Sequence, residues 1–539
     1  MKKQTAQLLL TNGRFLTMEQ PGETAEAVAI ADGRILFVGP DEEARHYADA
    51  DTTVIDLEGK VAAPGLIDCH THATGYTSRL VRVNFQGLRS MESLLNRIRE
   101  AAESTPKGEW IVCSDYDESK LREGTILSAA LLDTAAPEHP VYVARTCGHV
   151  AVVNTLAMKR SGFTDESQDP PTGGHFFRDE QGHLTGMISG SLNSKVPIPA
   201  ITMEEQEKAM IEGVQAIYFK NGITASTEMG RTAKMFQMLQ RLDNAGKLKL
   251  RIGFYMSTSR AANDLRTAQV LSKMGILPGF GSERFFFRGI KFVMDGSTGG
   301  KTAAFSQPYV GEPDNYGELY NDPAILRSDM LLSAKAGVQI SIHAIGDRAI
   351  EEALASLEYV VAQGVKLPPV RMEHVESPTP DQIRRIKTLG VDVALSSAFI
   401  YHLGDSHLTA LGYDRLVDAF PAKTLMDAGI NVACNTDCPV CDVNPMLGIY
   451  SMVNRITEKG QSFGGKKEAI DRIRALESYT KNASRLLGLE AVAGTLKAGK
   501  YADIVVFRED FLPIPDEQLK DMQVAMTISG GEIVYENRE

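Results

Sequence analysis

The chain has little that would mark a secreted, membrane or nucleic-acid-binding protein. Six cysteines and one tryptophan occur in 539 residues. So few cysteines in so long a chain exclude a disulfide framework. Cys438 and Cys441 form one CxxC beside Asp437, with no second pair, and are expected to pack as small side chains below a site. No apolar run is long enough to span a bilayer. Leu8-Leu9-Leu10, following Met1-Lys2-Lys3, is too short for the core of a signal peptide. The expectation is a cytoplasmic protein with no membrane partner. Positive charge is in deficit, with 57 Lys and Arg against 69 Asp and Glu and a net charge of -12. That argues against nucleic acid or an anionic membrane as a main partner, since both need basic surfaces. Internal repeats and low-complexity segments are also missing.

What is present is enough apolar material for a large core, 43% hydrophobic residues against 23% charged. The length exceeds one ordinary domain. Both ends of the chain read as short strands punctuated by turns. Leu8–Thr11, Ala27–Ile30, Ile35–Gly39 and Val54–Asp56 lie at the start. Asp503–Phe507, Val524–Ser529 and Glu532–Tyr535 lie at the end, with Gly530-Gly531 as a hairpin turn. This predicts a composite β-sandwich domain from residues 1–63 and 484–539.

The middle alternates between strands and helices. Thr202-Met203-Glu204-Glu205 and Thr379-Pro380-Asp381-Gln382 are capping boxes. The first opens a helix with Met210, Ile211, Val214, Ile217 and Tyr218 on one face. Asp347 is expected to cap a third helix carrying Ile350, Leu354 and Leu357. Candidate strands start near Leu66, Ile223, Leu250, Ile290, Val338, Val370, Val391 and Ile430. Eight strands alternating with helices predict an α/β fold, a (β/α)₈ TIM barrel over residues 64–73 and 200–483. A doubly wound open sheet would carry a Gly-rich phosphate loop after its first strand, and none is there. Residues 74–199 interrupt the alternation with a helix from Met91, strands near Trp110–Ser114 and Val141–Arg145, and a hairpin from His175 to Met187. They are read as an inserted α/β subdomain over the barrel mouth.

The chemistry gathers at the ends of the barrel strands. Pro64-Gly65-Leu66-Ile67-Asp68-Cys69-His70-Thr71-His72 closes an apolar run with two histidines at i and i+2, which puts both imidazoles on one face of a strand. Neutral imidazoles in that arrangement suit a borderline metal such as zinc. The runs Val338–His343, Val370–His374 and Ile430–Asp437 each end in another ligand-type residue. A fourth run, Gly289–Asp295, holds Lys291, and a lysine inside a buried strand is costly unless something uses it. Barrel active sites are built at these strand ends.

The sequence resembles the amidohydrolase superfamily, in the branch (amidohydrolase 3) that includes N-substituted formamide deformylase. The matching pieces are the Pro64–His72 opening, Gly148–Asn154, Lys291 with Asp295–Ala303, His343–Ala349, Glu373-His374, Asp437–Val440, Tyr479–Ala483 and Gly494–Asp503. The resemblance implies one or two divalent metals, zinc first among them. It implies that His70, His72 and Asp437 bind the more buried metal and that His343 and His374 bind the second. Lys291 would bridge the two as a carbamate formed with CO₂. Asp437 would move the proton between the attacking water and the leaving nitrogen, and His149 would hydrogen-bond the substrate carbonyl or oxyanion. The match departs at Lys301, where many relatives carry arginine, and at Ile188-Ser189-Gly190.

The expected function is metal-dependent hydrolysis of a non-peptide carbon-nitrogen bond in a small-molecule amide, an N-formyl or N-acyl amine. Hydrolysis of a cyclic amide, lactone or peptide-like bond on the same site is the alternative within enzymes. A non-catalytic regulatory protein retaining the fold is the alternative of another class. A homodimer is compatible with the sequence.

Overall fold

The computed structural model describes residues 5–145, 150–170, 174–258 and 267–537. The chain divides into two compact units, Met1–Thr74 with Val214–Glu539, and Gly75–Gly213. In the first unit, eight strands form one parallel sheet: β1 (Leu66–Thr71), β2 (Ile223–Gly230), β3 (Arg251–Ser257), β4 (Phe285–Val293), β5 (Gln339–Ala344), β6 (Val370–His374), β7 (Asp392–Leu395) and β8 (Val432–Cys434). They lie side by side in chain order, and every neighbouring pair is parallel. The sheet is a nearly closed barrel. Its seam is tied by the Asp437 amide donating to the His70 carbonyl at 3.1 Å and the Cys69 thiol donating to the Cys434 carbonyl at 3.3 Å.

Every residue of β1, β2, β6 and β8 is buried. Helices cover one face of such a strand and the barrel interior the other, which buries both faces, polar side chains such as Asp68, Glu228 and Glu373 included. One boundary moved. β4 begins at Phe285 rather than near Ile290, because Phe285 packs edge to face against Phe236 and Phe254 and carries the strand back towards its start.

The capping boxes at Thr202 and Thr379 both form. The helix expected after Thr202 is interrupted. Met203–Ala209 and Gln215–Lys220 are separated by a π-helical turn at Met210–Val214. The wider turn rotates Gln215 inward. Its side-chain oxygen accepts from the Lys249 and Leu250 amides at 2.6 and 3.0 Å, which fixes the entry to β3. Asp347 does not cap its helix. Gly346 is the cap, and Asp347 is the first helical residue, its carboxylate accepting from the Ser306 amide and hydroxyl instead.

Strands from both ends of the chain share a second sheet, in the order Glu532–Glu536, Val524–Ser529, Ile504–Phe507, Val61–Pro64, Arg14–Leu16, Thr24–Ala25. A four-stranded sheet of Arg34–Gly39, Ala27–Ala31, Leu8–Thr11 and Thr53–Asp56 completes this region. Leu10, Phe15, Ile30, Ile504, Val506 and Ile528 belong to one core between them. Val61–Pro64 runs straight into β1 through Gly65, where a Cβ would stand 2.2 Å from the Thr224 hydroxyl oxygen. Only glycine fits that approach of β1 to β2.

The second unit has a six-stranded mixed sheet ordered Gly174–Arg178, Leu184–Gly190, Val150–Val153, Val141–Arg145, Ile111–Tyr116, Val83–Asn84. The helix Met91–Ser104 is capped by Ser90 and buries Leu94, Leu95 and Ile98 against it. Among the described residues no helix is long and apolar enough to cross a membrane.

Candidate metal centre

Register decides which side chains meet. β5 and β6 pair Ala344 with His374 and His343 with Glu373, so the His343 and His374 rings come to 4.5 Å between centroids. The His70 and His374 rings stand 4.9 Å apart. Asp437, three residues past β8, closes the group from the other side. Ligand atoms of His70, His374 and Asp437 all lie within 4.8 Å of one another, and all three residues are buried. Two more residues adjoin them: His72 Nε2 is 3.3 Å from Asp437 Oδ1, and Lys291 Nζ is 2.9 Å from His70 Nε2. His343 stands against the His374 ring but its ligand atoms fall outside the three-residue group. His149 lies outside the described residues.

Each histidine has one ring nitrogen engaged by a protein oxygen. His70 Nδ1 lies 2.6 Å from Glu373 Oε2, His72 Nδ1 lies 3.2 Å from the Met229 carbonyl, and His374 Nδ1 lies 2.7 Å from Ser396 Oγ. Ser396 donates its own hydrogen to Asn435 at 2.9 Å, so it accepts from His374. His343 is engaged through the other nitrogen, Nε2, 2.9 Å from the Gly296 carbonyl. These partners set the tautomers. A lone pair is left on Nε2 of His70, His72 and His374, and on Nδ1 of His343.

The nearby carboxylates differ in what they have left to give. Asp295 accepts from the Ala304, Ile345 and Gly346 amides at 2.9, 3.1 and 2.9 Å. Glu228 takes the Thr74 amide and hydroxyl at 2.8 and 2.9 Å. Asp68 takes the Thr436 amide and hydroxyl at 3.1 and 2.5 Å. Asp437 Oδ1 is buried with no hydrogen-bond partner. A bare carboxylate oxygen facing imidazole lone pairs is a donor set that wants a cation, and its mixture of nitrogen and oxygen suits zinc or a similar divalent ion. The residues therefore fit the group.

Charge follows the same pattern. Burial holds His70 and His374 well below the usual histidine range, with Lys291 and His343 respectively adding to it. Both are neutral, the form that binds metal. Burial alone would raise Asp437, but the charged forms of His70 and His72 and the Lys291 ammonium beside it bring it down to about 2. Burial pushes the Lys291 ammonium down to about 8, against the pull of Asp437 and Glu373. His374 and Asp437 also sit in left-handed backbone, with φ of 73° and 53°. Such strain costs on the order of 1–3 kcal/mol and persists only where the surroundings hold it.

Sequence reasoning missed the residues behind the ligands. Arg371 and Glu373 are both fully buried and bonded to each other at 2.5 Å. The available signal was two opposite charges at i and i+2 in an otherwise apolar strand. The CxxC yields no metal ligand set: Cys438 and Cys441 are buried thiols outside the ligand group.

The sequence pattern of the amidohydrolase family matches residues 53–535. The chain belongs to the amidohydrolase family. It is 29% identical to Protein LONG AFTER FAR-RED 3 of Arabidopsis thaliana over 98% of this chain and 92% of that protein. It is 25% identical to N-substituted formamide deformylase of Arthrobacter pascens over 99% of each. Among solved structures, an uncharacterized metal-dependent hydrolase from Pyrococcus horikoshii superposes with a TM-score of 0.76 at 26% identity, covering 95% of this chain and 99% of that one. Family and fold together make the protein a metal-dependent hydrolase of the amidohydrolase family.

Proposed function

We propose that the protein hydrolyses a non-peptide carbon-nitrogen bond in a small-molecule amide, an N-formyl or N-acyl amine. The observation that carries this reading is Asp437 Oδ1, a buried acceptor without a hydrogen-bond partner, set among imidazole nitrogens at the barrel's carboxyl end. The Arthrobacter pascens relative, whose name states such an activity and which aligns end to end, supports the choice of bond.

His70, His72 and Asp437 would hold one divalent ion, zinc, and His343 and His374 a second. Bound there, a metal supplies Lewis-acid polarisation of a carbonyl and a water that ionises near neutral pH. Lys291 would bridge the pair as a carbamate. Its depressed value leaves about one amine in ten unprotonated at neutral pH. That neutral nitrogen attacks the CO₂ carbon and loses one proton to solvent; with the proton the ammonium gave up beforehand, two protons leave and an anion with two oxygens stands where a cation was. Asp437 Oδ1 would take the proton from the attacking water and hand it to the leaving nitrogen, because expulsion of an amine needs an acid where the base had been. His149 would donate to the substrate carbonyl oxygen. The net charge of -12 and the lack of disulfides among the described cysteines favour a cytoplasmic enzyme that binds neither nucleic acid nor membrane.

The test is elemental analysis of the purified protein, followed by turnover of N-formyl amines, N-acyl amines, cyclic amides and lactones with and without a chelator. Bound metal with chelator-sensitive release of amine from the first two classes is expected. Turnover confined to lactones or cyclic amides would move the substrate. A metal-loaded protein that hydrolyses nothing would favour a regulator retaining the fold.

A further inference from the structure

We propose that Glu373, held by Arg371, is a positioning residue that orients His70 and fixes its tautomer for metal binding. This rests on the metal reading of the site. Glu373 is not itself a ligand, because four donors already occupy its two oxygens. Arg371 Nε and Ser341 Oγ donate to Oε1 at 2.5 and 2.6 Å. Arg371 Nη2 and His70 Nδ1 meet Oε2 at 2.7 and 2.6 Å. Both charged side chains are fully buried.

The consequence for His70 follows from what each group can do. Arg371 carries only donors, and an ionised carboxylate only accepts. Arg371 donates to both oxygens of Glu373 and Ser341 to Oε1 as well, so the carboxylate meets His70 as an acceptor with no proton of its own to offer. His70 must then carry its proton on Nδ1 and its lone pair on Nε2. Nε2 is the nitrogen that faces Lys291 Nζ at 2.9 Å and Asp437 Oδ1 at 3.4 Å. Arg371 Nη2 also donates to the Cys69 carbonyl at 2.6 Å. One guanidinium thus anchors the main chain just before His70 and the carboxylate that orients its ring. The nearest oxygen to the other three histidines is a carbonyl or a hydroxyl, and the carboxylates of Asp437 and Asp295 stand farther off, 3.3 Å from His72 Nε2 and 3.4 Å from His343 Nε2. A charged acceptor makes His70 the most basic of the four towards a metal.

Glutamine at this position has one acceptor where two are required. With its nitrogen at the Oε2 place it would face the Arg371 donor and force the His70 proton onto Nε2, which removes the ligand lone pair. The experiment uses the full chain stripped of metal, as wild type, Glu373→Gln and Glu373→Asp. Zn²⁺ affinity is measured by competition with a chromophoric chelator. The visible spectrum of each protein is recorded at saturating Co²⁺, and folding is checked by circular dichroism. Glu373→Gln is expected to weaken Zn²⁺ binding about 10–100-fold and to change the Co²⁺ bands, which a remote structural defect would not do once the site is full. Glu373→Asp keeps the charge that Arg371 needs but reaches less far. It decides the matter where Glu373→Gln does not fold, with a loss of about tenfold expected. Variants that bind Zn²⁺ as tightly as wild type, with unchanged Co²⁺ bands, would overturn the positioning role. A wild type that binds neither ion would instead overturn the metal reading.

Discussion

Lys291 gives a quantitative handle on the site before any metal is added. Its ammonium is buried in β4 and brought from 10.5 down to about 8, chiefly by loss of hydration. The gap is about 2.5 units, and at 1.36 kcal/mol each it amounts to about 3 kcal/mol. The sign is set by which state holds more protons. Below the folded value both states are protonated, and the folded protein bears the full cost of the buried charge. Between about 8 and 10.5 the unfolded chain keeps its proton while the folded one has lost it, so stability rises with pH. Above that window the gain is complete. Lys291→Met fills nearly the same volume without the charge. The metal-free variant should be more stable than metal-free wild type by up to about 3 kcal/mol below the window, and the difference should shrink as pH rises through it. Denaturant unfolding of both chelated proteins across the window measures this, and taking the difference cancels the groups they share. Parallel pH curves would refute the reasoning, because they would mean that Lys291 titrates alike in both states. With metal restored the order should reverse, since Lys291→Met cannot form the bridge and should lose metal or activity.

Asp437→Asn keeps the shape and one ligating oxygen but cannot carry a proton. Its turnover per bound metal should fall at least about a hundredfold, and near-equal turnover on the same amide would leave Asp437 a ligand only. Removing residues 500–539 deletes the strand Ile504–Phe507, which pairs with Val61–Pro64, and strips Ile504, Val506 and Ile528 from the core around Leu10 and Phe15. The truncated chain should be insoluble or melt early, and unchanged solubility and melting would show the two termini to be independent. Gly65→Ala places a methyl 2.2 Å from the Thr224 hydroxyl oxygen and should cost about 1–3 kcal/mol by overpacking. Adding Thr224→Ala, which removes the two nearest atoms, should recover part of that loss, and a Gly65→Ala protein that melts like wild type would discard the steric argument.

The sequence by itself determined the elements and their order. Buried parallel strands open on apolar residues, helices must cover them, and capping boxes and glycines mark helix ends, so Leu66, Ile223 and Val370 begin strands where local pattern placed them. It also singled out the ligand types, because a histidine, lysine or aspartate at the end of an apolar run has no local reason to be there. Local pattern did not show the π-helical turn before Gln215, since the partners that draw Gln215 inward are Lys249 and Leu250 on another segment. Nor did it show that Asp347 would be drawn away from its cap position to Ser306. Only the tertiary structure decided which nitrogen of each imidazole is engaged, that Asp295 and Glu228 are already satisfied while Asp437 keeps an open oxygen, and that Arg371 and Glu373 stand behind His70. The reason is distance along the chain. Periodicity and capping act within a few residues and are written into neighbouring positions. Glu373 meets His70 across 303 residues, and Thr436 meets Asp68 across 368. Such meetings exist only once the eight strands have taken their register around the barrel.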